Sequence, residues 1–197
     1  QIRSRKVTIA GFGVGCEFFI RGMVKKVLFA NLLGQIFVRI QALSNVQSSI
    51  VTAWIGAILY TLQIYFDFSG YSDMAIGLAK MMNINLPVNF YSPYKSVSIT
   101  EFWKRWHITL GRSLAVLIYY PLGGNRKGLA RTCFNLFVVF FVSGVWHGAA
   151  WTFIVWGIAH GVVRIFERLF MKHLEKIPNL IRIFFTFMFV NAAWVLF

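Results

Sequence analysis

Apolar residues run along this chain in long blocks, and the polar ones collect between the blocks instead of alternating with them. The longest block covers 132 to 163, 32 residues without one charged side chain. As a single straight helix it would be ~48 Å long, against a hydrocarbon core of ~30 Å. It has to tilt steeply or break. The break is expected between Gly144 and Ala150, around His147, because interrupted helices at membrane depth are tolerated where they line a cavity. Ile50 to Phe66 is a second charge-free block and, with its flanks, approaches the ~20 residues that span a bilayer. Helix is expected to resume from Met74 to Met82, and Leu180 to Phe197 begins a further span.

The segments between these blocks have their own patterns. Gly11 to Ile40 sets Arg21 and Lys25 on one helical face against aromatic and aliphatic residues, which predicts a helix at the cytoplasmic interface. Gln41 to Ser49 is a polar connection, and the Asn- and Pro-rich stretch Asn83 to Tyr94 is a loop whose tyrosines suit the headgroup level. Ser98 and Glu101 have capping-box spacing. On the helix expected to follow, Trp103, His107, Leu110 and Gly111 share one face, and Glu101, Arg105 and Arg112 share another. Pro121 to Gly128 reads as a turn with a basic tip.

Composition confirms the class. Hydrophobic residues are 58%, aromatic residues 18% and charged residues 13% of the chain, and mean hydropathy is +0.65. Ordinary soluble domains carry about twice as much charge. The fold class is all-α, a polytopic transmembrane helical protein with interfacial and interrupted helices. Twenty Lys and Arg against six Asp and Glu give a formal charge of +14. The bases sit in short clusters beside apolar runs: Arg3-Arg5-Lys6, Lys25-Lys26, Lys104-Arg105, Arg126-Lys127-Arg131 and Arg164-Arg168-Lys172. That placement is membrane topology, with bases on cytoplasmic loops, and not a nucleic-acid surface. Gln1 at the start, and Phe197 inside an apolar run, suggest a piece of a longer chain.

The candidate chemistry is sparse. His147 lies among Ser143, Gly144, Gly148 and Ala150, and is either a packing residue satisfied by a neighbouring carbonyl or a functional group. Asp67 and Asp73 flank Phe68-Ser69-Gly70-Tyr71-Ser72. They either pair with nearby bases and cap backbone, or take part in binding, since carboxylates near membrane depth need a partner. Cys16 and Cys133 read as packing residues. His160 and His173 read as structural. The four histidines lack zinc spacing, the Gly123-Gly124-Asn125-Arg126-Lys127 turn lacks phosphate-loop spacing, and no repeat suggests a duplicated transporter fold.

Three ordered segments carry a resemblance that covers nearly the whole chain. They are Tyr65 to Ala75; Phe102-Trp103-Lys104-Arg105-Trp106-His107-Ile108-Thr109-Leu110 followed by Tyr120 to Arg126; and Ser143-Gly144-Val145-Trp146-His147-Gly148-Ala149-Ala150-Trp151-Thr152. Together they resemble the membrane-bound O-acyltransferase family, in its bacterial alginate O-acetylation and D-alanyl transfer branch. The resemblance implies a fragment, about half, of a larger multi-helix disc with a tunnel through it, so that residues 1–197 form one membrane-embedded acyltransferase domain cut from a longer chain. It implies a multi-pass protein of the bacterial inner membrane, lying in the lipid bilayer. The acyl thioester donor, such as acetyl-CoA or an acyl carrier protein, approaches from the cytoplasm, and no cofactor is bound. The acceptor is a polysaccharide hydroxyl, or a periplasmic or extracellular acyltransferase partner protein.

The same resemblance makes His147 catalytic and His107 the second active-site position, with Asp67, Ser69, Asp73, Trp103, Arg105 and Trp146 as substrate-binding candidates and no metal. Relatives carry a Trp and an Arg-Asp pair where this chain has Ser113, Ala115 and Val116. Whatever that pair contributes, bracing or tunnel lining, is missing here. Acyl transfer to a hydroxyl needs a base, and a buried imidazole stays neutral and able to accept a proton. Its small neighbours are expected to leave room for the acyl-thiol arm, and His107 to orient the acceptor or donate to the oxyanion. D-alanyl or other acyl transfer to teichoic acid or peptidoglycan is the alternative within this class. Outside it stand a transporter with His147 as a proton relay and a non-catalytic membrane subunit of an acylation complex.

Overall fold

The computed structural model describes residues 6–44 and 49–197. Arg3 and Arg5 of the first basic cluster, and residues 45–48 of the expected connection, lie outside the described residues. Every regular element among the described residues is helical. The chain divides into two compact units, residues 1–89 and 90–197.

In the first unit, α1 (Ile9–Val24) passes through a π-helical turn (Lys25–Ala30) into α2 (Asn31–Ser44), and α3 (Ile50–Met81) returns alongside. Two pairs of glycines set the approach of α1 and α3. A Cβ on Gly15 would lie 2.7 Å from the Gly77 carbonyl oxygen, and one on Gly22 would lie 2.5 Å from that of Gly70. Gly15 and Gly22 are two helical turns apart, as are Gly70 and Gly77, so the helices run antiparallel with backbone against backbone. Small residues at such a crossing let helices associate by packing where lipid removes the hydrophobic drive. The expected span, acidic segment and following helix are one uninterrupted α3 of 32 residues.

The acids of α3 are ion-paired inside this unit. Lys25 Nζ donates to Asp73 Oδ2 at 2.6 Å, and Lys26 pairs with Asp67. Both lysines open the π-helical turn, where the helix is locally widened. Ser69 is buried between these acids on α3.

The second unit begins with a loop and a short 3₁₀ turn, then α4 (Ile99–Arg105), α5 (Ile108–Leu114), a π-helical turn (Ala115–Tyr119), α6 (Gly128–His147), α7 (Trp151–Leu174) and α8 (Asn179–Trp194). The uncharged 132–163 block breaks where expected, and the chain then reverses direction. Gly148 leaves α6 in an extended conformation, and α7 packs back along α6. A Cβ on Gly157 would lie 2.5 Å from the Phe140 carbonyl oxygen, and one on Gly144 would strike that of Phe153. The block is therefore an antiparallel hairpin with His147 at its tip. α3 and α6 are both long and apolar enough to cross a membrane, whereas α8, where another span is expected, is 16 residues long.

The helix expected to run through His107 does not form. α4 stops at Arg105, Trp106 is extended, and His107 is left-handed at φ 44° before α5 starts. In a continuous helix the Arg105 carbonyl would bond the amide four residues on. Here it accepts instead from the Tyr91 amide of the preceding loop at 2.9 Å. Trp106 turns inward, 3% exposed, against Phe90, Phe102, Tyr94 and Trp194. Trp103, His107, Leu110 and Gly111 thus belong to two helices and share no common face.

Candidate active site

His147 is the last residue of α6, and aromatic rings hold its imidazole. Trp146 lies edge-on at 4.8 Å between centroids, Phe197 at 4.8 Å, Trp156 at 5.1 Å and Phe153 at 6.2 Å. Among the described residues no hydrogen bond engages either ring nitrogen. The ring is half-buried, so its nitrogens are left without a protein partner and are not sealed away from a molecule entering from outside.

The glycines beside it do not leave the room expected of them. The space at Gly144 is filled by the Phe153 carbonyl and Gly157, and a Cβ on Gly148 would meet the Phe153 ring at 2.7 Å. Small residues here close the hairpin. The open volume lies one turn away, in a cavity of about 710 Å³ whose wall includes Ser143, Phe140, Trp103, Ile108, Ala115 and Tyr119. Ala115 and Val116 line it, so the positions of the missing Arg-Asp pair face this cavity.

His107 lies within electrostatic reach of His147, although the two sit at the breaks of different helices. A non-glycine residue in the left-handed region costs about 1–3 kcal/mol and persists only where its surroundings over-determine it; such residues cluster at functional sites. Here the Trp106 anchor and the Tyr91–Arg105 bond impose it.

The remaining candidates divide. Trp103 lines the cavity and its indole Nε1 donates to His160 Nδ1 at 3.2 Å. Trp146 is 60% exposed beside His147. Arg105 is held by Glu101 at 2.5 Å and lies over the Tyr91 ring, which makes it a brace for the break before His107. Ser98 accepts from the Glu101 amide, as the capping box requires, but the Glu101 carboxylate bonds the Val97 amide instead of the Ser98 amide. Burial pushes the Glu101 carboxyl up, and the Val97 amide with the Arg105 guanidinium outweighs that, holding it below the usual carboxylate range. Asp67, Ser69 and Asp73 belong to the first unit, where both carboxylates have lysine partners.

Around this centre, His160 has the structural place its sequence reading gives it, and Glu167 and Asn135 carry no flag in the sequence. His160 is 1% exposed, with its ring against Trp103, Trp156, Phe140 and Phe189. Its spacing of four from Trp156 places both on one face of α7, a signal that was available. Glu167 accepts from the Ile99 and Thr100 amides at 2.5 and 2.8 Å, capping α4 from α7. Arg164 bonds the Thr100 hydroxyl. Asn135, fully buried, donates to the Gly124 carbonyl at 2.8 Å and fixes the basic turn on α6. Long-range ties of this kind leave no periodic trace. Among the described residues no three His, Cys, Asp or Glu side chains are grouped to hold a metal.

Comparison with known proteins places the chain in a family. Across residues 1–197 the chain matches the model of MBOAT, the membrane-bound O-acyltransferase family. It is 46% identical over 200 residues to the probable alginate O-acetylase of Pseudomonas putida, a match covering 100% of this chain and 40% of that protein. It is 43% identical over 192 residues to the peptidoglycan O-acetyltransferase of Helicobacter pylori, covering 93% and 36%. With the teichoic acid D-alanyltransferase of Bacillus subtilis it shares 31% over 153 residues, covering 70% and 39%. The chain therefore spans about two fifths of the length of the curated relatives it matches. The chain, with a histidine at each of two helix breaks, belongs to the membrane-bound O-acyltransferase family.

Proposed function

We propose that the protein transfers an acyl group, acetyl in the leading reading, from a cytoplasmic thioester donor to hydroxyls of an exported cell-envelope polysaccharide such as alginate. The observation that carries this reading is the His147 imidazole, caged by four aromatic rings with no protein hydrogen bond on either nitrogen among the described residues and with His107 in electrostatic reach. His147 takes the hydroxyl proton as the oxygen attacks the thioester carbonyl. The carbon–sulfur bond then breaks, and the leaving thiolate recovers that proton from the imidazolium. General-base assistance of this kind is worth ~10²–10⁴-fold. His107 orients the acceptor or donates to the oxyanion of the tetrahedral intermediate.

The cavity supplies a place for the donor arm. It shares Thr100, Tyr119, Leu136 and Arg164 with a smaller one of about 300 Å³, which Arg168 and Arg182 also line. Along α6 the two cavities together run from Thr132 to Ser143, ~17 Å at the helical rise. The larger cavity is mainly apolar and reaches Ser143, one turn short of His147, while the smaller is polar, with Arg164, Arg168 and Arg182 beside Glu167 and Glu175; the apolar part suits an acyl-thiol arm and the polar part its head group. The inner membrane is the location that goes with this chemistry, and a periplasmic or extracellular acyltransferase is the partner to look for. The relative named a peptidoglycan O-acetyltransferase, nearly as similar as the one named for alginate, makes peptidoglycan the second acceptor to try.

The test is labelled acetyl incorporation in cells expressing the intact protein or His147→Ala at equal level, scored separately in alginate and in peptidoglycan. Incorporation should fall ~10²-fold or more. Undiminished transfer in the variant refutes the assignment.

A further inference from the structure

Nothing hydrogen-bonds the His147 ring among the described residues, so its orientation depends on its aromatic cage. Within that cage Trp156 is fully buried. It lies between two histidines, 5.1 Å from His147 and 4.9 Å from His160. His160 in turn accepts from the Trp103 indole at 3.2 Å. An indole nitrogen can only donate, so Nδ1 of His160 is the acceptor and a neutral ring carries its proton on Nε2. Trp103 stands on α4, a helix of seven residues that ends two residues before His107. One side chain therefore touches the supports of both histidines, through Trp156 on its own helix and through Trp103 on α4.

We propose that His160 is a positioning residue, whose bond to Trp103 ties α4 to α7 and thereby sets the placement of His107 relative to His147. The inference rests on the acyl-transfer reading above. α4 has its own anchors at its start, where Glu167 takes the Ile99 and Thr100 amides. Those anchors hold the end of α4 away from His107. At the other end the Tyr91–Arg105 bond and the buried Trp106 ring fix the break itself, and the Trp103–His160 bond, one turn before it, is the hydrogen bond that ties this end to α7. A displacement of about 1 Å at a reacting group can cost ~10²-fold in rate, so a tie of ordinary strength acts through geometry.

The experiment measures kcat, and KM for the acyl donor, on the intact protein in lipid nanodiscs, per folded molecule as counted by size exclusion. His160→Phe keeps a ring and removes the acceptor; Trp103→Phe removes the donor from the other side. His160→Asn keeps an acceptor where Nδ1 stands. The two phenylalanine variants should each lower kcat by ~10–100-fold, with donor KM unchanged in His160→Phe, whose ring lies outside the cavity lining; His160→Asn should recover most of that loss, and the double variant should have a kcat no lower than either single. Should His160→Phe fail to fold, Trp103→Phe compared with wild type and His160→Asn carries the same test. A kcat within about twofold of wild type in the phenylalanine variants, or losses that multiply in the double variant, overturns the proposal. A wild-type protein that transfers no acyl group counts instead against acyl transfer itself.

Discussion

Two stretches of 32 residues meet the same membrane in opposite ways. α3 runs unbroken from Ile50 to Met81, while residues 132–163 fold into the α6–α7 hairpin. Each would be ~48 Å long as a straight helix, so length alone does not decide which of them breaks. α3 carries two carboxylates, and each has a lysine from the neighbouring helical run. Its glycines at 70 and 77 face glycines of α1, which leaves nothing to be gained by bending. The hairpin stretch has no charge to satisfy. Its Gly144 and Gly157 face one another across the reversal, and Gly148 accepts the extended backbone and the Phe153 ring that the turn needs. Where a long apolar run stops is set by what its small residues pack against. In one stretch they face another helix; in the other they face the same chain returning.

The most damaging way to test this contrast is to fill one glycine contact in each stretch. Gly157→Ala drives a Cβ into the Phe140 carbonyl, which is backbone and cannot swing aside. The hairpin should lose about 1–3 kcal/mol, read as a fall in thermal midpoint in detergent, and His147 should lose activity with it. Gly70→Ala meets the Gly22 carbonyl at 2.7 Å and should cost a similar amount of stability. A hairpin that tolerates alanine at 157 with unchanged midpoint would remove glycine packing as the cause of the reversal.

Lys25→Met breaks the other half of the comparison by leaving Asp73, at 19% side-chain exposure, without its cation. Fully buried pairs lose 3–5 kcal/mol on such a change; with this exposure the expected loss is about 2 kcal/mol. Adding Asp73→Leu should restore most of it, since a matched apolar pair can replace an ion pair at little cost. Failure of the second change to rescue the first would give Asp73 a task beyond pairing, and return it to the substrate-binding candidates.

The sequence made the break at His147 legible, because an overlong uncharged run with glycines around one polar residue is a local signal; the reversal into a hairpin was not, since it rests on glycine contacts between α6 and α7. The loop before α4, the capping serine and the basic turn were legible from local signals too. The break at His107 was not. No glycine or proline stands there, and the helical spacing of Trp103, His107 and Gly111 argued for continuity. What overrules it is tertiary: Tyr91 takes the Arg105 carbonyl and Trp106 enters the core. His160 reads as structural from the sequence and is buried, but its bond to Trp103 was illegible for a related reason, since the partner lies 57 residues earlier. His107→Gly sharpens this point. A glycine relieves the left-handed strain and should raise stability by up to about 1 kcal/mol while removing activity. A loss of stability would mean that the imidazole, and not the backbone around it, holds the break.

The smallest effect concerns the brace on that break. The Glu101 carboxylate accepts from the Val97 amide and from Arg105, and its carboxyl is held below the usual range in the folded protein. A group with a lowered folded pKa adds stability that is complete above its unfolded value and disappears as pH falls through the folded one. Wild type should therefore exceed Glu101→Gln by a constant margin of about 0.5 kcal/mol near neutrality, and the two melting curves should converge only below the ordinary carboxylate range. The margin is small because the pair is partly exposed and screened. Its pH dependence is still diagnostic: a gap that persists unchanged into acid would show that glutamate's shape, and not its charge, closes α4 ahead of His107. In that case the two units would differ in kind, with charge holding α3 straight and packing alone holding the second unit bent.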